Sequence, residues 1–241
     1  MISVIIPVLN EEESIENLNL EIFEIKKKVP IDEVIYIDDG STDSTIKKLI
    51  ELKKNFHEIK ILKHKINKGQ SAAFLTGILN SKNELIITLD GDGQNPPFEI
   101  INIWTKYEDE KKNNFRFAVI GQRTNRKDSI IKKMSSKIAN KIRSLVLSDN
   151  IKDTGCSLKL FKKKDYLNLP YFNHMHRFIP FLMMRDNIRV ITIDVSHRKR
   201  IYGKSKYDII KRTVNGCIDL LGVLWLKLRK KKASDEEIIK F

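Results

Sequence analysis

The chain has 241 residues and carries 45 Lys and Arg against 31 Asp and Glu, a formal charge of +14. With 41% hydrophobic residues it can bury the core of one domain, with or without an appendage, and it does not have the composition of a disordered chain. Two cysteines, Cys156 and Cys217, no signal-peptide pattern, and no uncharged apolar run reaching roughly 18 residues exclude a disulfide scaffold and a conventional membrane span, and point to a reducing compartment.

In chain order, apolar runs rich in β-branched residues predict buried strands at 2–9, 34–37, 59–62, 85–89 and 117–120. Between them lie helical patterns. Over residues 14–29 the positions Ile15, Leu18, Ile22, Ile25 and Val29 share one helix face, with Glu11, Glu12 and Glu13 at its dipole-favoured start. A second helix is expected to start near 41–44, a third to run over 70–80 and a fourth to begin at Pro97. Strands alternating with helices predict an α/β fold, a doubly wound, mainly parallel nucleotide-binding sheet. The second half predicts a basic helix over 130–147, strands at 157–161 and 190–195, and a long helix over 206–228 that runs into Arg229 and three lysines. The expected division is a catalytic domain over 1–205, a basic amphipathic helix over 206–232 and a frayed tail over 233–241.

Charge is distributed unevenly. Residues 1–110 hold 13 basic and 20 acidic side chains, net −7, whereas residues 111–241 hold 32 and 11, net +21. A basic partner-binding half follows an acidic one, which a simple nucleic-acid reader does not need.

In such sheets ligands bind beyond the carboxyl ends of the strands. Those ends carry Asn10 and Glu11 after the first strand, Asp38 and Asp39 after the second, Asp90-Gly91-Asp92-Gly93-Gln94 after the fourth, and Arg123 after the fifth. Asp90 and Asp92 stand two apart, so both carboxylates can face one point and hold a hard divalent cation, with Gln94 adding or positioning a ligand. The competing reading is a turn rich in Asp and Gly; for residues 38–41 it is a turn plus a helix N-cap. No Gly-x-Gly-x-x-Gly follows the first strand and no Gly-Lys-Ser/Thr loop exists, which argues against a dehydrogenase and a P-loop ATPase.

Six segments together resemble family-2 glycosyltransferases of the GT-A fold: IPVLNEEESI at 6–15, DDGSTDST at 38–45, NKGQSAAFLTG at 67–77, DGDGQNPP at 90–97, DTGCSLKLF at 153–161 and HRKRIYGKSKY at 197–207. The likeness covers residues 2–225. Within that family it is nearest the dolichol- and polyprenyl-phosphate sugar transferases. The resemblance implies an inverting transferase, dolichyl-phosphate mannosyltransferase-like, that moves a hexose from a UDP- or GDP-linked sugar to a polyprenyl phosphate. It implies that Pro7, Asn10, Glu11, Asp39 and Gly69 surround the nucleoside. Asp90, Asp92 and Gln94 would hold Mg²⁺ or Mn²⁺ against the diphosphate. Arg123, Lys132 and Ser136 would receive the acceptor phosphate, and Arg200 and Lys206 would close over the diphosphate. Asp153 would stand near the reacting sugar, as a base, as a binder of sugar hydroxyls, or as a group orienting Arg123 and Lys206.

A lipid acceptor gives the basic half a purpose at an anionic membrane surface. Residues 217–228 are expected to lie in that interface or, alternatively, to be a buried core helix. The implied location is the cytoplasmic face of a membrane, bound peripherally or beside a membrane-protein partner. His174, His176 and Arg177 are expected to start a helix by packing rather than to touch the acceptor, and Cys156 to pack beside the site. Rival readings are transfer to a glycan or lipid-linked saccharide hydroxyl, a basic nucleic-acid-binding protein, and an inactive scaffold of the same fold.

Overall fold

The computed structural model describes residues 1–113, 115–124, 143–149, 151–199 and 209–229, with side chains from 215 onward in the last segment. Fourteen elements organise the described chain: β1 (Ile2–Val8), α1 (Ile15–Ile25), β2 (Ile31–Asp38), α2 (Thr45–Asn55), β3 (Ile59–Lys63), α3 (Gln70–Leu79), β4 (Leu85–Thr88), α4 (Glu99–Glu110), β5 (Phe117–Arg123), β6 (Lys159–Lys162), α5 (Lys163–Leu167), α6 (Ile179–Arg185), β7 (Arg189–Val195) and α7 (Ile209–Leu228). A further helical stretch occupies 143–147 and a 3-10 turn Met175–Arg177. The expected helix over 130–147 lies outside the described residues except for that stretch, as do the boundary at 205–206 and the tail.

The strands form one sheet in the order β3-β2-β1-β4-β6-β5-β7. All neighbours pair in parallel except β6, which runs antiparallel between β4 and β5. The carboxyl ends of β1, β2, β4 and β5 therefore share one edge. Strands in the middle bury both faces, as parallel sheets require. Val4, Ile6 and Val8 of β1, with Tyr36 of β2, pack under α1, α2 and α4 through Leu18, Leu49 and Ile103. The alternating Ile5, Ile35 and Ile37 face α3, α5, α6 and α7 through Phe74, Tyr166, Leu182 and Val223.

Element ends depart from expectation where local chemistry intervenes. Helix α1 stops at Ile25 rather than 29; Lys28 and Val29 amides both close back on the Ile25 carbonyl, and Pro30 bars continuation. Helix α4 opens at Glu99, because Pro96 and Pro97 carbonyls accept the Glu99 and Ile100 amides in a preceding turn.

Candidate active site

The first two strand-end loops are stitched together by backbone. The Asn10 amide donates to Ser41 Oγ at 2.9 Å, Asn10 Oδ1 accepts the Thr42 amide at 2.7 Å, and the Glu11 amide donates to Thr45 Oγ1 at 2.9 Å. Glu12 does not serve the start of its own helix α1: its carboxylate accepts the Ser44 amide at 2.7 Å, just ahead of α2, where unpaired amides favour an anion. Asp39, almost buried, accepts the Lys68 and Gly69 amides at 2.8 Å each and contacts His64 Nδ1 at 2.7 Å. That grip pulls the 67–69 loop against Gly40, whose φ is +83° and where a Cβ would stand 2.9 Å from the Asn67 nitrogen; only glycine fits. Pro7, in β1 opposite Ile37, completes this edge with Asn10, Glu11, Asp39 and Gly69.

Beyond β4, Asp90 Oδ1 accepts the Gln70 side-chain amide at 2.7 Å, and Oδ2 lies 3.4 Å from the amide of Asn95, which also donates to Ser157 Oγ at 2.8 Å. Asp92 turns Oδ1 onto the Gln94 amide at 3.0 Å. Burial, and next the negative charge of Asp92, push the Asp90 carboxyl up to about 6. The buried carbonyl oxygen of Asn95 has no hydrogen-bond partner among the described residues. Two close carboxylates under such strain fit a hard divalent cation. Among the described residues no group of three or more Asp, Glu, His or Cys is placed to hold a metal ion. Gln94 also ties this loop to the 198 segment: its side-chain Nε2 reaches the Arg198 carbonyl at 3.4 Å, and its main-chain carbonyl accepts the Arg198 amide at 2.8 Å. Arg198 is tied to Glu21 of α1 at 2.7 Å, and a cleft of about 260 Å³ opens between α1, Asp92, Gly93 and this strap.

At the end of β5, Arg123 meets Asp153 in a fork: Nε to Oδ2 at 2.6 Å and Nη2 to Oδ1 at 2.9 Å. Asp153 also accepts the Arg123 and Gly155 amides. A Cβ on Gly155 would stand 2.8 Å from Arg123 Nη2, so the guanidinium lies directly over that glycine. Burial works against the Arg123 charge, but the Asp153 hydrogen bonds and charge outweigh it and raise its pKa further. Within electrostatic reach of this pair is Lys159, 2% exposed, whose ammonium contacts the Cys156 carbonyl; burial lowers its pKa while Cys156, Asp90 and Asp153 oppose that. Cys156 is buried beside the pair and its thiol is pushed up to about 11 by that burial.

The fold thus gathers Pro7, Asn10, Glu11, Asp39, Gly69, Asp90, Asp92, Gln94, Arg123 and Asp153 along one sheet edge. Lys132, Ser136, Arg200 and Lys206 lie outside the described residues. His174 and His176 are engaged in packing contacts: His174 Nδ1 is 3.2 Å from Asp219 of α7 and His176 Nδ1 is 2.8 Å from Ser71 of α3. Sequence reasoning missed Gln70, Asn95, Ser157 and Lys159. Gln70 meets Asp90 across 20 residues and Asn95 meets Ser157 across 62, and the one available signal for the four was their membership of the quoted segments.

A family model described as "Glycosyl transferase family 2" matches residues 3–169. Undecaprenyl-phosphate 4-deoxy-4-formamido-L-arabinose transferases from Proteus mirabilis and Photorhabdus laumondii are each 35% identical over 227 residues, covering 92% of this chain and 67% of the relative. Among solved structures, glucosyl-3-phosphoglycerate synthase of Mycobacterium tuberculosis, in complex with Mn²⁺, UDP-glucose and phosphoglyceric acid, superposes with a TM-score of 0.69 at 14% identity, over 97% of this chain and 81% of that one. That likeness and the sheet order establish the GT-A architecture. The chain belongs to glycosyl transferase family 2.

Proposed function

We propose that this glycosyltransferase moves a sugar, with inversion, from a nucleotide diphosphate to the phosphate of a polyprenyl phosphate. The observation that carries it is the pairing, at one sheet edge, of a carboxylate couple suited to a diphosphate-bound cation (Asp90, Asp92) with a guanidinium fixed by Asp153 beside it (Arg123). Asp90 and Asp92 would hold Mg²⁺ or Mn²⁺, with Gln94 bracing the loop, and such a cation when bound neutralises a leaving diphosphate. Pro7, Asn10, Glu11, Asp39 and Gly69 frame the nucleoside. Arg123, with Lys132 and Ser136, receives the acceptor phosphate, and Arg200 and Lys206 supply cations to the donor diphosphate. A phosphate monoester with a second pKa of about 6 is already largely ionised at neutral pH. No general base is therefore required, and Asp153 acts by holding Arg123.

The names of the 35% identical relatives support the polyprenyl phosphate acceptor. They carry an aminopentose derivative, so the donor panel must set such sugars beside the hexoses of a mannosyltransferase-like enzyme. Solved structures of the same fold contain UDP, which supports trying UDP-sugars first alongside GDP-sugars. The location that suits this reaction is the cytoplasmic face of a membrane, bound peripherally. No described helix is long and apolar enough to cross a membrane. Incubation of the full chain with undecaprenyl phosphate, Mg²⁺ or Mn²⁺ and this donor panel tests the proposal. The expected product is a lipid-linked sugar that disappears with a chelator. Transfer only to saccharide hydroxyls would refute it.

A further inference from the structure

Helix α7 has two apolar sides. One packs on the sheet through the fully buried Val223 and the partly buried Leu220 and Leu226. The other presents Ile218, Leu221, Trp225 and Leu228, which are 62%, 67%, 59% and 75% exposed. Steps of three, four and three residues confine these four to an arc of about 80°. A helix face turned to water is ordinarily polar, and a continuous row of large exposed apolar side chains marks an interaction surface.

We propose that this outer face of α7 lies in the head-group region of an anionic bilayer. Charge selects that occupant. The row ends at exposed Arg229, the sequence continues with three lysines, and the second half of the chain is net +21. Cations beside an apolar stripe suit anionic lipid, each contributing about 1 kcal/mol near the surface. A Trp within the stripe suits the same region, since its ring is apolar and its N–H needs a wet partner. The helix is also tied to the catalytic edge. Asp219 meets His174, and the same turn carries His176 onto Ser71 beside Gln70, which holds Asp90. Docking α7 would therefore fix the orientation of the donor site over the membrane. This rests on the polyprenyl phosphate reading given above.

The test uses the full chain carrying Trp104→Phe, so that Trp225 alone reports, with phosphatidylcholine vesicles with and without phosphatidylglycerol. Expected are flotation with the anionic vesicles, a blue shift of Trp225 emission, and weakening of both by salt. Leu221→Ser with Leu228→Ser should reduce vesicle binding at least roughly tenfold. Because both positions are exposed, turnover on a water-soluble short-chain isoprenyl phosphate should stay within about twofold and thermal stability should hold. Absent vesicle binding, binding unchanged by the two substitutions, or a Trp225 shift that follows protein concentration alone, as for a second copy or another protein covering the stripe, would overturn the surface assignment. Failure with both soluble and membrane-borne acceptors would instead overturn the functional reading, whatever the vesicles show.

Discussion

The Asp153 carboxylate directs both oxygens to Arg123 and accepts two backbone amides besides, which supports the proposed positioning role over collecting a proton. Asp153→Asn should lower kcat/KM for the acceptor about 10- to 100-fold, the worth of weakening hydrogen bonds to a charged group, with little change in donor KM. Its pH profile should keep its shape; loss of the acidic limb would identify a base. Arg123→Lys, which cannot form the fork, should combine with Asp153→Asn less than additively. Asp90 gives a second test. Its pKa is raised by burial and by Asp92, so the folded, metal-free protein binds this proton more tightly than the unfolded chain. Stability therefore falls as pH rises from about 4 to about 6 and stays lowered above that. Metal-free Asp90→Asn should melt above the parent at pH 7 and match it near pH 4, while losing turnover; an unchanged difference across that range would contradict the assignment. Asp90 and Asp92 were legible in sequence because two carboxylates two residues apart at a strand end are chemically costly without a cation. Gln70 and Asn95 were not, since one reaches Asp90 across 20 residues and the other bonds Ser157 across 62.

Strands β1 to β5 were readable because each is a short β-branched run, and a sheet buried on both faces needs nothing more to be found. The antiparallel direction of β6 was not, since direction depends on the connection over 124–158 rather than on the strand's own residues. That strand supports the site: Lys159 lies within electrostatic reach of Asp90, Asp153 and Arg123, and Phe161 packs against Tyr166 with ring centroids 5.3 Å apart. Phe161→Ala, at a fully buried position, should cost about 3–5 kcal/mol in urea unfolding. A loss below about 1 kcal/mol would mean that β6 is not seated as described. The helix ends were misread by a few residues where Pro30 and the Pro96-Pro97 pair fix the backbone, a local effect that apolar periodicity does not register.

At the scale of the whole molecule, the +14 charge separates into an acidic half that carries the Asp90 and Asp92 couple and a basic half that carries Arg123 and α7. A nucleotide diphosphate and its cation bind only the folded chain, so together at about 100 times their dissociation constant they should stabilise it by about 2.7 kcal/mol. Nucleotide alone should do less, and Asp90→Asn should abolish the gain; thermal melts with and without Mn²⁺ measure this. Fold class and the sheet edge bearing the site were legible from the strand-end residues, whereas the outward apolar stripe of α7 became distinct from a core helix only through its packing. The account stands most directly on one product. The full chain, undecaprenyl phosphate, Mn²⁺ and a panel of UDP- and GDP-sugars should yield a species with the mass of sugar joined to undecaprenyl phosphate. No such species with any donor, from a folded protein that binds nucleotide, would contradict it.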